Sequence, residues 1–136
     1  MKKFLIVVSV VAMLPGASAG QPVREWHLFY KEDENTRDYM DILSIKEVKH
    51  NVIVVTTLTE NDTPGATWLS AIFDYEINCS TKRMTQTAQA YFGGNLGTGG
   101  VKDANSQRMQ MPQNDINLKI ENIVCGIDKL PLFNPD

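Results

Sequence analysis

Trp68 to Cys79 reads WLSAIFDYEINC, and its alternation decides the fold. The odd positions Leu69, Ala71, Phe73, Tyr75, Ile77 and Cys79 are apolar or carry sulfur, whereas the even positions include Ser70, Asp74, Glu76 and Asn78. A period of two with one apolar face marks a strand of an antiparallel sheet covered on one side. That phase puts Cys79 on the covered face. Ser80-Thr81-Lys82 is a turn by composition, and Arg83–Phe92 returns as a paired strand.

Upstream lie more strands. Asn51–Thr59 (NVIVVTTLT) is rich in β-branched residues and precedes a turn at Asn61–Gly65 (NDTPG). Val23–Tyr30 (VREWHLFY) alternates, with Trp26, Leu28 and Tyr30 on one face, and ends at the charged turn Lys31–Thr36. Arg37–Asp41 reads as a short extended piece, after which the Asp41 carboxylate caps a single helical turn over Ile42–Ile45.

Downstream, Gly93–Gly100 (GGNLGTGG) is a flexible loop, and a short edge strand is expected around Arg108–Met111. A helix follows Pro112. Asn114 is its N-cap, Asp115 suits its positive end, and Ile116, Ile120, Ile123 and Val124 form one apolar stripe. Gly126 terminates it after Cys125. The helix thus ends where its cysteine can meet Cys79 on the core side of the sheet. Strands followed by a terminal helix give an α+β fold: one antiparallel sheet of five or six strands, with the helix on one face.

The first residues concern compartment. Met1-Lys2-Lys3, the apolar run Phe4–Leu14, the Pro15-Gly16 break and Ala17-Ser18-Ala19 compose a secretory signal peptide over residues 1–19. An uncleaved anchor fits less well, because the run is short for a bilayer and the cleavage pattern is clean. The expected domain covers residues 20–126, and an extended tail covers residues 127–136. No cysteine near the cleavage site offers a lipid acceptor, and no second apolar run suggests a transmembrane segment. Of 13 basic and 16 acidic residues, the signal takes Lys2 and Lys3, leaving a net −5 in the exported part. That balance disfavours nucleic acid as a partner, since binding it requires neutralising phosphates. In an oxidising compartment Cys79 and Cys125 read first as a disulfide. A bridge closing about 47 residues is worth ~4 kcal/mol on the chain-entropy estimate.

No constellation for catalysis stands out. The glycine-rich loop lacks the Lys-Ser/Thr ending of a phosphate-binding loop. His27 is expected on the wet face of its strand and His50 at a turn, neither with a nucleophile nearby in sequence. Glu32-Asp33-Glu34 lacks the spacing of a calcium loop and reads as a solvated turn. No catalytic residue, cofactor or metal ligand is therefore assigned. Trp26, Tyr30, Phe73, Tyr75, Tyr91 and Phe92 are expected in the core. Trp68 falls on the polar phase of its strand, where it is either a binding anchor or covered by Leu130, Leu132 and Phe133 of the tail; cover is the favoured alternative. Trp68 and the loop residues Gly93, Gly94, Asn95, Leu96, Gly97 and Thr98 are the candidate partner-binding residues.

Glu25-Trp26, Tyr39-Met40-Asp41 with Ser44-Ile45, Val52–Leu58, Ser70 through Cys79 to Arg83, Pro112 and Ile123-Val124-Cys125 occur in an order that resembles the surface-adhesin protein E family of bacterial exported domains. The resemblance spans Glu25 to Cys125. Asn78 stands where that family often has an Asp before the cysteine, and no aromatic precedes Pro112. The resemblance implies an antiparallel sheet with a packed C-terminal helix, a disulfide, a homodimer and adhesion to host matrix proteins. Together these expectations point to an exported, non-enzymatic binding module of the bacterial envelope. The alternatives are a periplasmic accessory protein that binds envelope proteins or itself, and a small hydrolase.

Overall fold

The computed structural model describes residues 23–126. The expected signal peptide, its cleavage near Ala19, and the tail with Leu130, Leu132 and Phe133 lie outside the described residues. The chain forms β1 (Trp26–Lys31), β2 (Thr36–Lys49), β3 (Val52–Asn61), β4 (Ser70–Asn78), β5 (Arg83–Phe92), β6 (Val101–Asn105), β7 (Met109–Gln110) and α1 (Asp115–Val124). All strands join one seven-stranded sheet in the order β1-β2-β3-β4-β5-β6, with β7 also on β5. Every pairing is antiparallel.

The α+β architecture is as expected, but the sheet has more strands than five or six. The extra one is β6, VKDAN, exposed at every position. It has no alternation to betray it and is a strand only because its backbone pairs with Gln89–Phe92 of β5. The helical turn expected after Asp41 is also absent. β2 runs straight through that region as a strand of 14 residues. Its register against β3 moves from Asp41↔Thr56 to Lys46↔Val54, so five steps on β2 oppose two on β3. The Asp41 carboxylate does cap backbone, but that of an irregular bulge: it accepts from the N–H groups of Leu43 and Glu25 at 3.0 and 2.9 Å and from the Arg24 guanidinium at 3.1 Å. The Ser44 hydroxyl plugs the bulge, donating to the Asp41 carbonyl at 2.7 Å and accepting from the Thr56 N–H at 2.8 Å.

The helix begins as its composition dictates. The Asn114 side chain accepts from the Asn117 N–H at 2.9 Å, satisfying one orphan donor of the first turn. Ile120, Ile123 and Val124 are buried with Met40, Val55, Tyr75, Ile77 and Met84, and Ile116 packs at their margin. Cys125 caps the helix and is bonded to Cys79, with 5.7 Å between Cα atoms. This core lies on the odd-numbered face of β4, as the alternation requires.

Bulges redistribute other residues. On β1, Leu28 pairs with Tyr39 and Tyr30 with Asp38, so one residue is extra. Trp26 and Leu28 therefore do not share a face with Tyr30. His27 lies opposite Met40 and is half-buried rather than wet. On β5, Tyr75 pairs with Gln86 and Asp74 with Ala88, so Thr87 is extra. That one insertion turns both Gln86 and Gln89 toward the helix side.

Candidate functional site

Register partners define the helix-side face row by row. Val55, Tyr75 and Gln86 form one row, and Ile53, Ile77 and Met84 another. These rows lie beneath α1. Two further rows, Asp38–Thr59–Ala71–Tyr91 and Met40–Thr57–Phe73–Gln89, extend past the start of the helix. A helix of 10 residues is about 15 Å long and is too short to cover every row. Among the described residues the uncovered part is an open groove of about 550 Å³, walled by Asp38, Thr57, Thr59, Phe73, Gln89 and Tyr91 of these rows, by Trp68, by Met109 and Met111, and by Asn114, Ile116, Asn117 and Ile120 of the helix start. Its floor is aromatic. Tyr91 meets Trp68 edge-on at 5.0 Å and Phe73 edge-on at 6.0 Å, and Phe73 stacks beside Tyr75 at 6.2 Å.

Asp38 sits at one end of the groove and is 1% exposed. Its Oδ1 accepts from the Thr59 hydroxyl at 2.5 Å, while the buried Oδ2 receives no donor and, when protonated, donates toward Glu32. Burial, then the neighbouring Glu32 through hydrogen bonding and charge, pushes its carboxyl up from 3.8 to about 8; the Thr59 bond opposes this. Asp38 is therefore an acid that holds its proton at neutral pH. Burial, with the Asp38 charge next in weight, also pushes the Tyr75 phenol up. Among the described residues that line the groove there are two carboxyl groups, Glu32 and Asp38, and no Lys, Arg or His.

The opposite face carries the glycine-rich segment. Leu28, Tyr39, Leu58, Ile72 and Ala90 are successive register partners there, and Leu58 is fully buried. The loop expected to be flexible is latched across this row. Glu60 receives the Asn95 side-chain amide and the Leu96 N–H, both at 2.6 Å. Ser70 donates to the Gly94 carbonyl at 2.6 Å and accepts from the Gly97 N–H at 2.9 Å. Glu60 is 6% exposed and Ser70 fully buried, although both lie on the face expected to be wet. Glycine is required at Gly94, where a Cβ would come 2.6 Å from the Thr98 hydroxyl, and at Gly97, whose φ is +75° and whose Cβ would come 2.9 Å from Ile72.

The candidate partner-binding residues thus divide between the two faces. Trp68 precedes β4, so the strand's alternation does not reach it, and its ring joins Tyr91 on the helix side instead of the polar side. Gly93, Gly94, Asn95, Leu96, Gly97 and Thr98 belong to the latch on the reverse side. Leu96 is their apolar tip, with φ of 55° and 54% exposure. Sequence reasoning passed over Asp38, Glu32 and Glu60. One of them carried a signal: Asp38 is in phase with Met40, a charge at a core-phased position. Glu32 was assigned to a solvated turn. His27 bonds Glu25 at 2.8 Å and His50 contacts Asn51 at 3.3 Å. Neither bonds a Ser, Thr or Cys among the described residues. No group of three or more His, Cys, Asp or Glu suited to a metal occurs among the described residues. No helix among them is long and apolar enough to cross a membrane.

A family model described as surface-adhesin protein E matches residues 26–126, from the first residue of β1 through Gly126. Solved structures of Haemophilus influenzae protein E share the fold. Crystal form II has a TM-score of 0.54 at 17% identity, covering 86% of this chain and 97% of that one. The protein from a non-typeable strain also has a TM-score of 0.54, at 16% identity, covering 85% of this chain and 83% of that one. No curated protein sequence matches the chain.

Proposed function

We propose, for a chain that belongs to the surface-adhesin protein E family, that it is an exported, non-enzymatic binding module of the bacterial envelope, acting by adhesion to host matrix glycoproteins. The observation that carries this is the extent of the family match: it takes in the entire sheet, the groove, the latch and the terminal helix. The residues that resemble the family in order, among them Asp41, Ser44, Ser70 and the two cysteines, hold the scaffold. Contact with a partner then falls to what the scaffold leaves open: the aromatic groove and the exposed tip at Leu96. The Lys-Lys start and apolar run of residues 1–14, followed by Ala17-Ser18-Ala19, support export with cleavage near Ala19.

A second reading, a periplasmic protein that pairs with envelope proteins or with itself, is favoured by one observation. Among the described residues β1 is the terminal strand of the sheet, and none of them pairs with its outer edge. Antibody labelling of intact cells, combined with binding of the purified chain to immobilised matrix glycoproteins and to envelope extract, separates the two. Surface labelling with saturable matrix binding is expected. Labelling only after outer-membrane permeabilisation, with retention of envelope proteins alone, would refute adhesion. Turnover of a substrate lost on His27→Ala or His50→Ala would refute the non-enzymatic assignment.

A further inference from the structure

We propose that the groove is a subsite for an N-acetylhexosamine of a glycan chain, its acetamido group paired with the Gln86–Gln89 amides and its pyranose ring stacked on the Trp68–Tyr91 surface. This deepens the binding-module reading above and rests on it for the macromolecule that carries the sugar. The starting point is two amide side chains that are almost wholly buried yet incompletely bonded. Gln86 is 3% exposed and Asn117 4%, and both line the groove, one from β5 and the other from the helix start. Gln86 Nε2 donates to Gln89 Oε1 at 2.9 Å, and Asn117 Nδ2 donates to the Pro112 carbonyl at 2.9 Å. Among the described residues nothing bonds Gln86 Oε1, Gln89 Nε2 or Asn117 Oδ1, and none of the three is sealed from solvent. The groove is the opening through which they are reached.

The bulge at Thr87 makes the amide pair, because it brings Gln86 and Gln89 to one face within bonding distance. A single bond between two primary amides leaves one donor and one acceptor over, which together complement the C=O and N–H of a third amide. The rings adjoin the pair. Gln89 stands opposite Phe73, Tyr91 follows on the same strand, and Tyr91 meets both Phe73 and Trp68. A ligand for this wall carries an amide, an apolar face for the rings and a further donor for Asn117 Oδ1. An N-acetylhexosamine has all three on one ring: the acetamido group, the C–H face and the hydroxyls. With no cation among the described lining residues, the charge of an anionic sugar has no counterpart. The space of about 550 Å³ is that of a small-ligand site.

The test is NMR titration of the purified chain with N,N′-diacetylchitobiose, read at the Trp68 indole and at the Gln86 and Gln89 side-chain amides. Cellobiose, which has hydroxyls in place of the acetamido groups, and a blocked Gly-Gly dipeptide, which has amides without a sugar ring, are run beside it. Saturable shifts with diacetylchitobiose are expected, with both comparators about tenfold weaker or more. Gln89→Leu, at a half-buried position, and Trp68→Ala, ahead of β4, should each weaken binding severalfold while the remaining spectrum stays that of the folded chain. No saturable shift, equal affinity for cellobiose, tighter binding of the dipeptide, or full affinity in folded Gln89→Leu would overturn the proposal. The source of the sugar is separated by retention on purified bacterial sacculi and on immobilised matrix glycoprotein before and after enzymatic removal of its glycans. Retention on either that diacetylchitobiose competes away supports the subsite. The two readings fail separately. Matrix or envelope binding that persists in excess diacetylchitobiose and in Gln89→Leu, with no sugar-induced shifts, overturns the subsite and leaves the binding module. Sugar binding with no macromolecule retained does the reverse.

Discussion

Replacing Asp38 by Asn should stabilise the protein, and increasingly so as pH rises. Burial and the adjacent Glu32 raise this carboxyl from 3.8 to about 8. Between those values the unfolded chain has lost the proton and the folded chain still holds it. The folded state thus binds more protons, and stability falls as pH increases. The contribution is fully present below about pH 4 and is lost as pH passes through about 8. Each unit is worth ~1.4 kcal/mol, so the full window amounts to at most ~5–6 kcal/mol. Asparagine cannot titrate. Its Oδ1 retains the bond from Thr59, and its amide can donate toward Glu32, as the protonated acid does. Urea denaturation of both proteins, at steps of about one pH unit from roughly 4.5 to 7.5, measures the difference directly. The two should be nearly equal at the acid end, and the gap should widen by ~1.4 kcal/mol per unit in favour of Asn. A gap that stays constant across the series would refute the reasoning, because it would mean that Asp38 ionises alike in the folded and unfolded chain.

Ile120→Ala should cost ~2–5 kcal/mol in chemical denaturation, since Ile120 is 1% exposed at the centre of the helix–sheet core; a loss below about 0.5 kcal/mol would mean that the helix is not docked as described. Replacing both Cys79 and Cys125 by Ser should cost ~4 kcal/mol, with non-reducing peptide mapping of the parent chain confirming the bridge. Glu60→Ala removes both acceptors that hold Asn95 and Leu96, and should cost ~1–3 kcal/mol. Hydrogen exchange at the Leu96 amide should then accelerate while β3 and β4 remain protected, and unchanged exchange would show that the latch does not hold the loop.

The candidate site was legible only where a residue's phase in its own strand held. The alternation of β4 placed Ala71, Phe73, Tyr75 and Ile77 on the helix side, and the structure keeps them there. It failed at Trp68, because β4 starts at Ser70 and an irregular segment precedes it. Alternation failed again at Tyr30, displaced by one extra residue in the ladder, and an extra residue at Thr87 likewise puts Gln86 and Gln89 on one face. A bulge is invisible to periodicity, because one unpaired residue shifts the phase without changing the composition around it. Glycine content suggested a flexible loop, but glycines also permit close backbone packing. What separates the two outcomes is whether partners stand nearby, and Glu60 and Ser70 are distant in sequence.

The succession of most of the strands along the chain, the docked helix with its Asn114 cap, and the meeting of Cys79 with Cys125 were determined by the sequence itself. They rest on local signals: side-chain period, β-branched content, capping chemistry, and the one phase that puts both cysteines toward the core. The seventh strand, the bulge held by Asp41 and Ser44, the latch and the acidic groove were decided by tertiary structure. Each depends on backbone or side-chain groups brought together from distant positions. A carboxylate at position 38 becomes a neutral acid because the sheet buries it beside Glu32 and Thr59, and among the described residues the groove stays open because the helix starts short of the last rows of the sheet. Neither condition is a property of any short stretch of the chain.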